Sequence, residues 1–229
     1  MLVADWAVTP VAMVPDRADS VAAELTRLCE RAVLSLPVTG AGLSVVARDN
    51  QFGLVAAADP LSERLEELQF VLGEGPCVDA VAAGQPVLVP DLTVDGPVRW
   101  PVYAPSIMEA GFRAVFAFPL QVGSARMGVL DLFRVGPGIL SVAELVRALA
   151  LAEEAIAILL DGEARGGRES ATTGPAELFQ AQGMAMVQLD STLADAMARI
   201  RAYAYVHNRR LSDVAREILA HELRFDRDG

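Results

Sequence analysis

The sequence predicts an α+β protein: a mostly antiparallel sheet with flanking helices, followed by a C-terminal all-α three-helix bundle. Three observations predict it. Two pairs of strand-like runs, each split by a turn signal, read as hairpins. Helical periodicity flanks them. After the polar, Gly-rich stretch "DGEARGGRESATTGP", Asp161 to Pro175, only helical patterns remain. With 229 residues, 53% of them apolar, the chain can build a real core in one large or two small domains.

The first element is a helix from about Asp19 to Ser35, with Val21, Leu25, Leu28 and Ala32 as its apolar stripe and Pro37 beyond its end. "GLSVVARDNQFGLVAAAD" places two strands around Asp49-Asn50. A helix follows over Leu61 to Val71, until Gly73, Gly75 and Pro76 break it. "VDAVAAG" is a short helix and "PVLVPD" a short strand. "AVFAFPLQVGSARMGVLDLFR" gives the second hairpin, around Gly123-Ser124. A helix over 141–161 carries Val142, Leu145, Leu149, Ala152, Ile156 and Leu159 at heptad spacing. It reads either as a dimer seam or as a helix that only covers the sheet. The expected boundaries are 18–162 for the sheet domain, 163–175 for a linker and 176–224 for the helical tail.

In the tail, a first helix spans about Glu177 to Leu189. A second starts near Thr192, which with Asp195 has capping-box-like spacing, and turns Leu193, Ala196, Ile200 and Ala204 to one face. A third starts after Ser212, a plausible N-cap, with Val214, Ile218 and Leu219 as its apolar face. About 50 residues make a marginal lone domain, so dimerisation or packing on the long helix is expected to support it.

Composition excludes several functions. Every basic residue apart from two histidines is arginine, so neither a Gly-Lys-Ser/Thr phosphate loop nor a working receiver domain, which needs a lysine, can be present. No Cys/His spacing fits zinc, so no metal or cofactor is expected. No G-x-S-x-G occurs, and the chain does not read as an enzyme. The pairs Glu66-Glu67 and Glu153-Glu154 read as solvated helix surface. Cys77 follows a Gly-Pro turn; a helix N-terminus there could lower its thiol pKa, though an ordinary packed cysteine is the simpler reading. The N-terminus lacks a basic signal-peptide region, and charges interrupt the longest apolar stretch. A cytoplasmic protein without a membrane span is expected. The net charge of −11 is concentrated in residues 1–174, which hold 12 Arg against 22 acids, while the remainder holds 7 Arg against 8. Arg199, Arg201, Arg209, Arg210 and Arg216 give the tail a local basic patch.

Two segments carry a family resemblance. Leu178, Ala181, Gln182, Gly183 and Met186, then Ala196, Ile200-Arg201, Ala204, Val214-Ala215 and Ile218, resemble the ANTAR RNA-binding domain of bacterial antiterminators. Gln182 departs from the lysine common there. "GEGPCVDAVAAGQPV", Trp100-Pro101, "FAFPL" and "MGVLDLFR" resemble a GAF domain of the actinobacterial GAF-ANTAR type. The resemblance implies a homodimeric sensor-effector that binds tandem RNA hairpins and prevents a terminator from forming.

On that basis Gln182, Met186, Arg201, Tyr205, Arg209 and Arg210 are the expected RNA contacts. Amides, arginines and rings all suit unpaired bases. Gln182, Met186, Arg201 and Tyr205 are expected to face outward. The bland alternatives are a surface amide at Gln182, a core Met186 and a Tyr203 packed on the third helix. Trp100, Tyr103, Phe116, Phe118 and Asp131 are the candidate pocket for an unidentified small molecule, or simply filled core. Rival functions are a helix-turn-helix-like DNA-binding factor, a GAF-type methionine sulfoxide reductase using Cys29 and Cys77, and a dimerisation module with a vestigial tail.

Overall fold

A computed structural model of the chain describes residues 20–46, 52–164, 173–207 and 209–226. Helix α1, Val21–Ser35, starts where the Ser20 hydroxyl accepts the Ala23 N–H, and buries Val21, Leu25, Leu28 and Ala32 as its stripe requires. The strands β1 (Gly40–Val46) and β2 (Phe52–Ala57) form the first hairpin. Its expected turn at Asp49-Asn50 lies outside the described residues.

Helix α2, Pro60–Leu72, is capped by Asp59 and ends at Gly73, whose φ of 68° suits a residue without a Cβ. Helix α3 is Pro76–Ala83 and strand β3 is Val87–Val89. Two helices unforeseen in the sequence follow: α4, Leu92–Arg99, and α5, Tyr103–Glu109. Both are too short for a periodic signal, and α4 contains Gly96 and Pro97. Strands β4 (Ala114–Val122) and β5 (Ala125–Arg134) close the second hairpin at Gly123, φ 59°.

The five strands form one sheet in the order β2-β1-β5-β4-β3, every pair antiparallel. Strand alternation divides its residues between two faces. One face, with Leu43, Phe116, Phe118, Leu130 and Leu132, is covered by α1 and by α6, Val142–Ala164. The other face, with Ala117, Val129, Val115 and Phe133, lies under the α2–α5 side. Helix α6 buries Ala148, Leu151, Ala152, Ala155 and Leu159 against the first face. Of the expected seam, Ala152 and Leu159 are therefore spent inside the protomer, while Val142, Leu149 and their neighbour Val146 stay exposed.

The C-terminal helices are α7, Thr173–Leu189, α8, Leu193–Val206, and α9, Leu211–Leu219. The Thr192–Asp195 capping box forms as the spacing predicts. The third-helix cap is corrected: Arg210, not Ser212, holds the N-cap position, because the helix begins at Leu211, a buried apolar residue. Helices α6 and α7 also run into the ends of the expected linker, and 165–172 lie outside the described residues.

Among the described residues the tail's buried cluster is separate from that of the long helix. The tail's apolar residues, among them Leu178, Ala181, Ala185, Ile200 and Val214, form one cluster with Phe70 of α2, Cys77, Ala80 and Val81 of α3, and Ala117 and Val129 of the sheet. It thus joins the face opposite α6. A short bundle gains burial this way that it cannot supply alone. Leu193, expected inside, is exposed at 46% because it opens α8 at the solvent edge. Among the described residues no helix is long and apolar enough to cross a membrane.

Candidate functional site

Two sites meet at α2, one beneath it and one outside it. Beneath it, Gly42 of β1 lies opposite Asp131 of β5, and Asp131 lies opposite Ala117 of β4. Small residues on both sides leave room over the Asp131 carboxyl. Glu66 fills that room: a Cβ at Gly42 would come within 2.4 Å of the Glu66 Cγ. The Ser44 hydroxyl donates to Glu66 Oε2 at 2.8 Å. Gln69, one turn along α2, donates from Nε2 to Asp131 Oδ2 at 2.8 Å and accepts the Cys77 N–H at 2.9 Å. Glu66, Gln69, Cys77, Asp131 and Tyr103 are all 0% exposed.

The electrostatics follow from burial. Desolvation holds Glu66 well above the usual carboxylate range, and the neighbouring Asp131 raises it further. Burial also raises Asp131, to about 6, against the lowering effect of its hydrogen bonds to Glu66 and Gln69. The two carboxyls hydrogen-bond to each other when one holds a proton. Glu66 Oε1 and Asp131 Oδ1 have no other partner, and the buried Tyr103 hydroxyl and Trp100 Nε1 have none. The Cys77 thiol is pushed well up, first by burial and then by Asp131 and Glu66.

Two sequence expectations are corrected here. Glu66 is not solvated surface but the floor of a buried cluster; only Glu67, beside it, points toward the tail. Cys77 fits the simpler of its two readings, a packed cysteine, fully buried and with its pKa raised first by that burial. The proposed pocket residues are split by the sheet. Trp100, Tyr103 and Asp131 lie on the α2–α5 face, while Phe116 and Phe118 project to the opposite face and fill the core under α1 and α6. One carboxylate oxygen each from Glu66 and Asp131 and the Cys77 sulfur lie within 4.8 Å of one another. That donor set could hold a borderline-soft divalent cation once its protons leave. No sequence spacing signals it, since its members come from α2, α3 and β5.

Outside α2, the tail presents two of its cations, Arg210 and Arg201, to the sheet domain. Arg210 donates from Nε to Glu67 Oε2 at 3.0 Å, and its Nη2 pairs with Glu63. These contacts raise the Arg210 pKa, and the Glu67 pKa is raised by burial against the lowering effect of Arg210. Arg209 pairs with Glu217 at 2.5 Å, within the tail. Arg201 reaches from α8 into a cleft of about 220 Å³ whose walls are Gln69, Phe70, Gly73, Val78, Val81 and Ala82. Its Nε is buried without a partner, and burial lowers its pKa.

The expected outward RNA face is therefore corrected. Gln182 is 2% exposed, and its Nε2 donates to the Leu193 carbonyl at 2.7 Å, fastening α7 to the start of α8. The amide departs from lysine at a position with no room for a solvated charge. Met186 is half-buried at the edge of the tail core. Arg201 turns inward. Of those four residues Tyr205 alone is exposed, at 52%. Tyr203 stacks on His207, with ring centroids 4.0 Å apart, and meets Phe225 edge-on.

Comparison with known proteins agrees with the geometry of the first region. Residues 18–161 match the profile of the GAF domain. No curated protein matches the chain. The fold is similar to the GAF domain of a phosphoenolpyruvate-protein phosphotransferase from Coxiella burnetii, with a TM-score of 0.54 and 18% identity, covering 66% of this chain and 88% of that one. It is also similar to a GAF domain/HD domain protein from Geobacter sulfurreducens, with a TM-score of 0.51 and 14% identity, covering 65% and 97%. At such identities the likeness is one of fold. The profile match spans more than half of the sequence, and the chain belongs to the GAF domain family.

Proposed function

We propose that the chain is a sensor-effector regulator in which the GAF domain controls an RNA-binding helical tail of the ANTAR type, acting in transcription antitermination. One observation carries the coupling: two of the three arginines expected to meet RNA are held at the sensor domain, Arg210 by Glu63 and Glu67, and Arg201 in the cleft beside α2. In this docked arrangement the tail offers RNA mainly Tyr205 and the exposed Arg199. Undocking α8 and α9 from α2 frees Arg201 and Arg210 together. A signal at the GAF domain that shifts this equilibrium changes RNA affinity by its differential binding to the two arrangements.

A homodimer completes the proposal. The exposed Val142, Val146, Leu149 and Leu160 of α6 suit a partner helix. Two tails in one dimer engage tandem hairpins with the gain that linked sites provide. The reductase alternative finds little support in the thiols. Cys29 and Cys77 lie in clusters on opposite sheet faces, and burial pushes the Cys29 thiol to about 12 and Cys77 well above its usual value. No observation favours the duplex-DNA alternative: in α9 Arg216 pairs with Asp213 of its own helix.

The test is titration of a tandem-hairpin RNA into the full chain, beside a scrambled RNA and a DNA duplex. Tighter binding to the hairpins, weakening with salt, is expected. Equal affinity for hairpins and scrambled RNA would overturn the RNA assignment.

A further inference from the structure

We propose that the cleft between α2, α3 and α8 is a binding site for a small organic anion, a carboxylate or phosphate on a short apolar body, with Arg201 as its counter-charge. It rests on the sensor half of the function proposed above and not on RNA binding.

The Arg201 guanidinium is the unusual group. Three other tail arginines are paired, Arg209 with Glu217, Arg210 with Glu63 and Glu67, and Arg216 with Asp213, while Arg199 is exposed to water. Acids are abundant in a chain with a net charge of −11. Yet among the described residues no carboxylate pairs with Arg201, its Nε is buried without an acceptor, and it is withdrawn from water enough to lower its pKa. Buried charges are ordinarily paired, because an unpaired one loses hydration without recompense. What faces this one is a space of about 220 Å³. That is room for about seven waters at liquid density.

The cleft is shaped for an occupant. Gln69 forms part of its wall and is fixed on its far side by the bonds to Asp131 and the Cys77 N–H. Gly73 serves twice. Its left-handed φ of 68° ends α2, and a Cβ there would stand 3.0 Å from Arg201 Nη1. A side chain at that position would crowd the face of the guanidinium. Phe70, Val78, Val81 and Ala82 supply apolar walls. A planar guanidinium suits both carboxylate and phosphate. Two of the walls belong to the GAF domain and the cation to the tail, so an occupant ties α8 to α2 and α3. By linkage such an anion stabilises the docked arrangement.

Calorimetric titration of the full chain with inorganic phosphate, butyrate and butyl phosphate tests this and separates the two anion chemistries. One saturable site per chain is expected, with the butyl compound of the preferred headgroup binding most tightly. Arg201→Ala should weaken it at least tenfold. Ala82 is exposed on the cleft wall, so Ala82→Glu should keep the fold, confirmed by circular dichroism, and abolish binding by placing a carboxylate beside Arg201. Absence of saturable binding for all three anions in folded wild-type protein, or unchanged affinity in both variants, overturns the site. Anion binding without hairpin selectivity leaves the site standing and removes only the RNA assignment.

Discussion

The two sides of α2 make opposite use of charge. Toward the sheet, Glu66 and Asp131 are fully buried acids with no cation among their described partners, and a proton reconciles them. Toward the tail, Glu63 and Glu67 are partly solvated and are answered by Arg210, while Arg201 stands without an acid. The inner side is thus sensitive to protons and the outer side to salt and anions. The difference lies in desolvation: a buried charge shifts its pKa until it neutralises, whereas a half-exposed one keeps its charge and pairs.

The largest effect should come from forcing the inner side apart. Gly42→Val places a branched side chain where Glu66 lies, within 2.4 Å of its Cγ at the first added carbon. Overpacking of this kind costs about 1–3 kcal/mol, lowering Tm by roughly 2–12 °C for a chain of this size. Thermal melts check it.

The next effect is pH dependence. Glu66 and Asp131 titrate higher in the folded protein than in the unfolded chain, so the folded state holds more protons once pH passes about 4. Their contribution to stability is complete at low pH and is lost as pH rises from about 4 through about 6 for Asp131, with the raised Glu66 acting in the same direction. Tm should therefore fall as pH rises from about 4 through about 6, and Glu66→Gln should flatten that fall. An equal slope in the variant would assign the dependence to other groups.

On the outer side, Glu63→Gln with Glu67→Gln removes both partners of Arg210. Partly exposed pairs are worth about 0.5–1 kcal/mol, so global stability should change little. Amide exchange in α8 and α9 should nonetheless quicken, and high salt should produce the same change in the wild type. The smallest effect belongs to Arg31→Ala, which breaks a surface pair with Glu154 remote from α2 and should shift Tm by less than about 2 °C.

What the sequence made legible follows from the range of each interaction. The stripe of α1, the two hairpins and the Thr192–Asp195 box are local patterns, and each forms as read. Glu66 reads as surface in the sequence because a charged residue on an amphipathic helix looks solvated. Its burial depends on Gly42 and Ser44, which a distant strand brings beneath it. Position along the chain groups Phe116 and Phe118 with Asp131, although β4 and β5 pair Ala117, not either Phe, opposite that aspartate. A helical wheel turns Arg201 outward because it cannot show that α2 covers one side of α8, and Gln182 outward because it cannot show the bond that joins α7 to the Leu193 carbonyl.

The central claim is that docking on α2 restrains RNA binding by the tail. The most direct measurement compares tandem-hairpin RNA affinity between the wild type and the Glu63→Gln, Glu67→Gln variant at one salt concentration. Freed Arg210 should tighten binding in the variant, by up to about fivefold for a pair worth about 1 kcal/mol. Equal or weaker affinity in the variant, with its fold intact, would contradict the claim.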